Sequence, residues 1–255
     1  MPNILNKTFD AYYVNLDSRP DRRDKMASEL NRIDLRADRF RAFTPDEWDG
    51  TPESVAVMRG RTPGAIGCYQ SQREIIRRAA SGGKHVLVLE DDVIFADDFW
   101  SRLDYFDEHI YHIDPMWDIL SLNATFHINP AVWHRDDHLG RDAEQTTDPR
   151  ILRVYGAWFT YAYIVRAESA QRVIDLLEGN LAQSWGIDHN FITLGDKIRA
   201  YAFVPGMTFQ RDGQSNIGTG MTLFSHFTKM GPYVWQPRSM HDFDPDKFNW
   251  AEAFR

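Results

Sequence analysis

The hydrophobic pattern of this 255-residue chain switches repeatedly between a short apolar run and an amphipathic stretch of helical period. Ala11-Tyr12-Tyr13-Val14-Asn15 reads as a first strand, and Asp17-Ser18-Arg19-Pro20 as a turn into a helix from about Asp21 to Asn31. Arg39-Phe40-Arg41-Ala42-Phe43 alternates and reads as a second strand. Thr62-Pro63 opens the clearest helix, with Thr62 able to cap it and Gly82-Gly83 able to end it. The next run, Val86-Leu87-Val88-Leu89, is apolar without alternation, as a strand buried on both faces must be.

The second half repeats the theme. A helix is expected from Ala96-Asp97-Asp98, a strand at 117–122, and a long polar surface loop over 127–149. Two strands follow, Ile151 to Tyr155 and Trp158 to Val165, joined at Gly156. Helices are expected from Ala167 to Leu177 and again near Ile187. Alternating strands and helices imply an α/β fold with a mostly parallel sheet and helices on both faces. No repeat, low-complexity tract or linker breaks the chain, so one domain with a C-terminal extension is the simplest organisation.

Composition narrows the function classes. A net charge of −8 argues against a nucleic-acid partner. The aromatic content of 13% fits a large core, and also a surface that stacks sugar rings. The single cysteine, Cys68, excludes an intrachain disulfide and fits a reducing, cytoplasmic compartment. The first residues lack the apolar core of a secretory signal, and no stretch approaches the roughly 20 apolar residues of a membrane span. At most peripheral membrane contact is expected, and a homo-oligomer is compatible with the composition.

The candidate chemistry centres on the acids that close the buried run: Glu90-Asp91-Asp92. Ligands of open α/β sheets bind outside the carboxyl ends of the strands. Three adjacent carboxylates there call for a cation, and a divalent metal bridging to a phosphate is the natural one. A turn that caps the next helix would use the same residues. The first strand-to-helix junction, from Asn15 through Arg19 to Arg22, offers guanidiniums and a helix start to a diphosphate. Gly67 and Ser71 lie on the well-capped helix, where small residues allow close packing or ligand approach.

In order and spacing these segments resemble glycosyltransferase family 25, which contains bacterial lipooligosaccharide β-galactosyltransferases and collagen galactosyltransferases. The family pattern V-I-N-L-x-x-R-x-D-R corresponds to Val14 through Arg22, G-x-x-G-C-x-x-S-H to Gly64 through Gln72, and a hydrophobic run with E-D-D to Leu89 through Asp92. The stretch from Gly156 to Tyr163, Asp188, and Gln210 with Ser215-Asn216-Ile217 extend the likeness over roughly residues 10–217. One departure stands out: Gln72 occupies the position of the family's usual His.

The resemblance implies a GT-A-like domain over 8–217, with a mostly parallel Rossmann-like sheet and an aromatic extension over 218–255 packed on it. It implies metal-dependent, inverting transfer of a hexose from a UDP-sugar to a hydroxyl of a glycan or glycoconjugate, as in lipooligosaccharide biosynthesis. Galactose is the expected sugar, with glucose left open. Asp92 would hold Mn2+ or Mg2+ with Glu90 as a second ligand. Asn15, Arg19, Arg22, Gly67, Ser71, Glu90 and Asp91 would line the nucleotide-sugar site. Asp188 would act as general base, with Trp185 and Gln210 on the acceptor. His226 is a lesser metal candidate, and His127, His134 and His138 read as loop residues. A non-catalytic relative that binds glycans or partners is the alternative. A phospho-receiver module also places adjacent acids after a strand, but it needs half this length.

Overall fold

The computed structural model describes residues 9–48, 62–123, 143–156, 160–183, 186–204 and 206–211. Within them the chain runs β1 (Phe9–Asn15), α1 (Pro20–Arg32), β2 (Asp38–Arg41), α2 (Pro63–Gly82), β3 (His85–Glu90), β4 (Val93–Phe95) and α3 (Phe99–Ile113). It continues with β5 (Ile119–Ser121), β6 (Ala143–Gln145), β7 (Ile151–Val154), β8 (Ala162–Val165), α4 (Ala170–Gly179), α5 (Ile187–Thr193), β9 (Ala200–Phe203) and β10 (Thr208–Gln210).

Eight strands form one sheet in the order β2-β1-β3-β8-β5-β9-β7-β6. Six of them run the same way. β8 is reversed against both β3 and β5, and β7 against both β9 and β6. The α/β class with a mostly parallel sheet is therefore the one expected. Strand β3 shows how the core is built. Val86 and Val88 pack into one apolar layer with α2, α4 and α5, while Leu87 and Leu89 pack into the other with α1 and α3. All four are buried, which accounts for the unbroken apolar run.

Helix α2 has the ends its sequence announced. The Thr62 hydroxyl accepts from the Ala65 amide, Pro63 occupies the first turn, and Gly83 takes the left-handed conformation (φ 66°) that closes the last turn. No helix among the described residues is long and apolar enough to cross a membrane.

Three expectations need correction. The polar stretch read as one loop over 127–149 contains β6, whose Ala143 is buried; three residues without alternation carry no strand signal. Both strands flanking Gly156 form, but the second starts at Ala162 rather than at Trp158, after a turn at Thr160 and Tyr161. A short strand, β4, intervenes between the acids and α3, which starts at Phe99 rather than at Ala96. β4 pairs with β10 on one side. On its other side helix α1 stands in for a strand: Glu29 accepts from the Phe95 amide at 2.8 Å and Arg32 donates to the Phe95 carbonyl at 2.7 Å.

Candidate functional site

Parallel pairing of β1 and β3 brings Val14 level with Glu90, so Asn15 reaches the acids from the neighbouring strand. Asn15 Nδ2 donates to Asp91 Oδ2 at 2.7 Å and to the Arg19 carbonyl at 3.1 Å. Its amide is oriented by a residue the sequence did not single out. Arg39, on β2, donates from Nε to Asn15 Oδ1 at 2.9 Å and also pairs with Asp17 at 2.5 Å. A basic residue in a short strand next to β1 was the only local signal for it.

Arg22, one turn into α1, places one nitrogen 2.8 Å from Asp91 Oδ1 and 3.1 Å from Asp92 Oδ2. A guanidinium thus bridges the two aspartates at the sheet edge. Arg19 behaves differently. Its Nε and an outer nitrogen grip Asp21, each at 2.9 Å, and this exposed pair holds Asp21 down to about 2. The fork expected to hold nucleotide is therefore engaged by a neighbour on its own helix.

Asp92 is tied to the end of β10. The Arg211 amide donates to the Asp92 carbonyl at 2.6 Å, and Gln210 Nε2 lies 3.4 Å from Asp92 Oδ2. Gln210, expected on the acceptor, thus sits against Asp92. The other carboxylate oxygen, Asp92 Oδ1, is buried and has no hydrogen-bond partner among the described residues. Burial raises the Asp92 pKa; Arg22 offsets part of this and Asp91 adds to it. Among the described residues no three His, Cys, Asp or Glu side chains converge as a metal cage. A divalent ion here would rest on Asp92 and on oxygens brought by the ligand and by water, a coordination common for Mg2+ on nucleotide phosphates. An unpartnered buried carboxylate oxygen fits that role.

Glu90 is held from behind. Gln72 Nε2 lies 3.2 Å from Glu90 Oε1, and the Cys68 thiol 3.7 Å from the same oxygen. Burial pushes the Glu90 pKa well above the ordinary carboxylate range, and Asp92, Asp188 and Asp91 push it further. Burial likewise raises the Cys68 thiol well above its usual value, consistent with a packed residue rather than a nucleophile.

Asp188 lies in the first turn of α5, whose start packs against the start of α2 through Gly186 and Ala65. The Thr160 amide donates to its Oδ1 at 3.1 Å. Asp188 acts electrostatically on Glu90, Cys68 and Tyr163 alike, so the structure gathers it with the acids of β3.

Two expected ligand contacts are taken up by the fold instead. Ser71 is fully buried, donates to the Gly67 carbonyl at 2.6 Å and accepts from the Phe43 amide at 2.9 Å. A Cβ at Gly67 would sit 2.3 Å from the Phe43 carbonyl oxygen. Both residues serve to lay the segment after β2 against α2, a contact that requires glycine. Trp185, His127, His134, His138, His226, the 215–217 motif and the 218–255 extension lie outside the described residues.

The sequence model of glycosyltransferase family 25 (LPS biosynthesis protein) matches residues 9–186. The chain belongs to glycosyltransferase family 25. Among relatives of this family 25 chain, the "probable inactive glycosyltransferase 25 family member 3" of Bos taurus is 25% identical over 183 residues. That match covers 65% of this chain and 28% of the bovine protein. The "procollagen lysyl hydroxylase and glycosyltransferase" of Acanthamoeba polyphaga mimivirus is 22% identical, over 95% of this chain and 26% of its own length. The chain thus spans little more than a quarter of these two relatives. A solved glycosyltransferase involved in glycosylation of the major capsid of PBCV-1 overlaps 77% of this chain and 83% of its own. The TM-score is 0.37 and the identity 13%, too loose to say anything of the site.

Proposed function

We propose that this family 25 chain is an inverting, metal-dependent hexosyltransferase with a GT-A-like site, using a UDP-sugar as donor and a glycan or glycoconjugate hydroxyl as acceptor. Galactose is the sugar favoured by the family resemblance. The observation that carries the reading is the edge of β1 and β3, where Asp92 keeps a buried oxygen without a partner among the described residues while Arg22 bridges Asp91 and Asp92. A carboxylate left unsatisfied next to a guanidinium suits a diphosphate that arrives with its own cation.

In this reading Asp92 holds Mn2+ or Mg2+, which when bound stabilises the charge of the departing UDP. Arg22 faces the diphosphate, and Asn15, fixed by Arg39, keeps Asp91 in place beside it. Asp188, oriented by the Thr160 amide, takes the proton of the acceptor hydroxyl as that oxygen attacks the anomeric carbon and the bond to UDP breaks. The lone cysteine supports a reducing compartment such as the cytoplasm.

A second reading, a relative that binds glycans without turning them over, draws on the bovine and human relatives named inactive. Release of UDP from a panel of UDP-hexoses with Mn2+ separates the two. The transferase should release UDP from one preferred donor, and Asp92→Ala should lower that rate about 10³-fold. A parent protein that releases none, and binds UDP no better with Mn2+ than without, would be the binding-only relative.

A further inference from the structure

Tyr163 and Gln72 are both fully buried, one on β8 and one on α2, yet both are polar. The Tyr163 hydroxyl donates to Gln72 Oε1 at 2.8 Å. Burial keeps that phenol protonated far above its ordinary range, so it remains a donor. With its oxygen committed to Tyr163, the Gln72 amide must turn its nitrogen the other way. There Nε2 meets Glu90 Oε1 at 3.2 Å and the Cys68 sulfur at 3.3 Å. The amide orientation is thus set by the network rather than by either partner alone.

The Gln72 and Cys68 contacts both fall on Oε1. Among the described residues nothing engages Glu90 Oε2, and Glu90 is the partly exposed last residue of β3. It stands two residues before Asp92, and its amide donates to the carbonyl of Tyr161, next to Thr160, whose amide holds Asp188. Under the proposed transfer reaction, Asp92 marks the leaving diphosphate and Asp188 the incoming hydroxyl. The group that passes between them is the hexose.

We propose that Gln72 is a positioning residue: backed by Tyr163, it clamps Glu90 through Oε1 so that Oε2 meets a hydroxyl of the transferred hexose. This rests on the transferase reading and assigns the residue that reads the sugar. A sugar hydroxyl both donates and accepts, so it can pair with a carboxyl group in either state. What position 72 requires is an acceptor toward Tyr163 and a donor toward Glu90. A neutral imidazole supplies the same pair with its two ring nitrogens. Gln72 in place of the family's His therefore preserves the relay. Its second N–H serves Cys68, a contact that an imidazole serving both other partners would drop.

The test compares Gln72→Leu, Gln72→His and Tyr163→Phe in the full chain, with kcat and KM for the preferred UDP-hexose and Kd for UDP, all with Mn2+. Gln72→Leu should lower kcat/KM about 10- to 100-fold while UDP affinity stays within about twofold, because only the sugar contact moves. Gln72→His should recover most of the loss. Tyr163→Phe, which removes one oxygen and keeps the ring, should fall between the two and covers the case in which the leucine variant fails to fold. Unchanged kcat/KM in Gln72→Leu or Tyr163→Phe, a histidine variant no better than leucine, or UDP binding that falls in step with turnover would overturn the relay. A parent protein without turnover would overturn the transferase reading and this inference with it. An active parent indifferent to these changes would overturn the relay alone.

Discussion

The two ends of the sheet treat buried acids in opposite ways. Where β5 and β9 begin, Asp118 is almost fully buried and accepts from Arg172 and from the Arg199 amide. Beside it Asp114 accepts from the Met116 amide, from Arg199 and from the Tyr201 hydroxyl. Both oxygens of Asp114 are used, and a guanidinium lies against each acid. Where β3 ends, Glu90 adjoins two acids that share Arg22, and among the described residues a buried oxygen of Asp92 goes without a partner. Acids paired with guanidiniums and backbone amides hold the fold. Under the proposed function, acids left short give up stability so that a ligand can complete them.

The contrast can be broken most directly by exchanging the two kinds of loss. Asp92→Ala should lower donor cleavage about 10³-fold, as above, while its urea midpoint stays level or rises. Asp118→Ala should do the reverse. It removes the ion pair of Arg172 and leaves the Arg199 amide without its acceptor, costing about 2 kcal/mol in urea unfolding, while the folded fraction turns over at the parent rate. If Asp92→Ala proves as destabilising as Asp118→Ala, the site acids are structural and the contrast fails. A finer cut is Tyr201→Phe, which removes one hydrogen bond to Asp114 and should cost about 1 kcal/mol without touching turnover.

The smallest expected effect is a difference in sign along one strand. β3 starts at His85, whose Nδ1 accepts from the Ala167 amide and whose ring meets Trp117 edge-on. Burial lowers its pKa below the ordinary 6.5. The fold therefore favours neutral His85, and this stability is present above pH 6.5 and lost as pH falls through the lowered value. At the other end burial raises Glu90, so its contribution is whole below the ordinary 4.5 and is lost as pH climbs through the raised value. Urea titrations across pH should show His85→Leu flattening the acid side and Glu90→Gln flattening the neutral side. Identical slopes in both variants would remove the distinction.

Much of this was legible in the residues, and the limits are physical. The Val86–Leu89 run and the caps of α2 are local signals, and both elements stand where the sequence put them. The acids of β3, Asn15, Arg22 and Asp188 are brought together because each ends a strand or starts a helix at the same sheet edge. What stayed hidden depends on partners distant in sequence. β4 is a strand only because β10 and the side chains of Glu29 and Arg32 satisfy it. Ser71 looked available to a ligand, but the Phe43 amide, 28 residues away, claims its oxygen. Arg39 and Tyr163 act on the site through Asn15 and Gln72, and no spacing rule connects those pairs.

The reversed strand β8 has a consequence for how the protein is made. It is inserted between β3 and β5, which are not paired with each other, and it bonds to both. A growing chain completes β1, β2 and β3 by residue 90, yet the strand that covers β3 begins only at residue 162. Through that interval of synthesis β3 offers an open, apolar edge ending in its acids, the kind of edge that invites wrong partners. The most delicate moment for this protein therefore falls between the making of its acidic motif and the arrival of the strand that shields it.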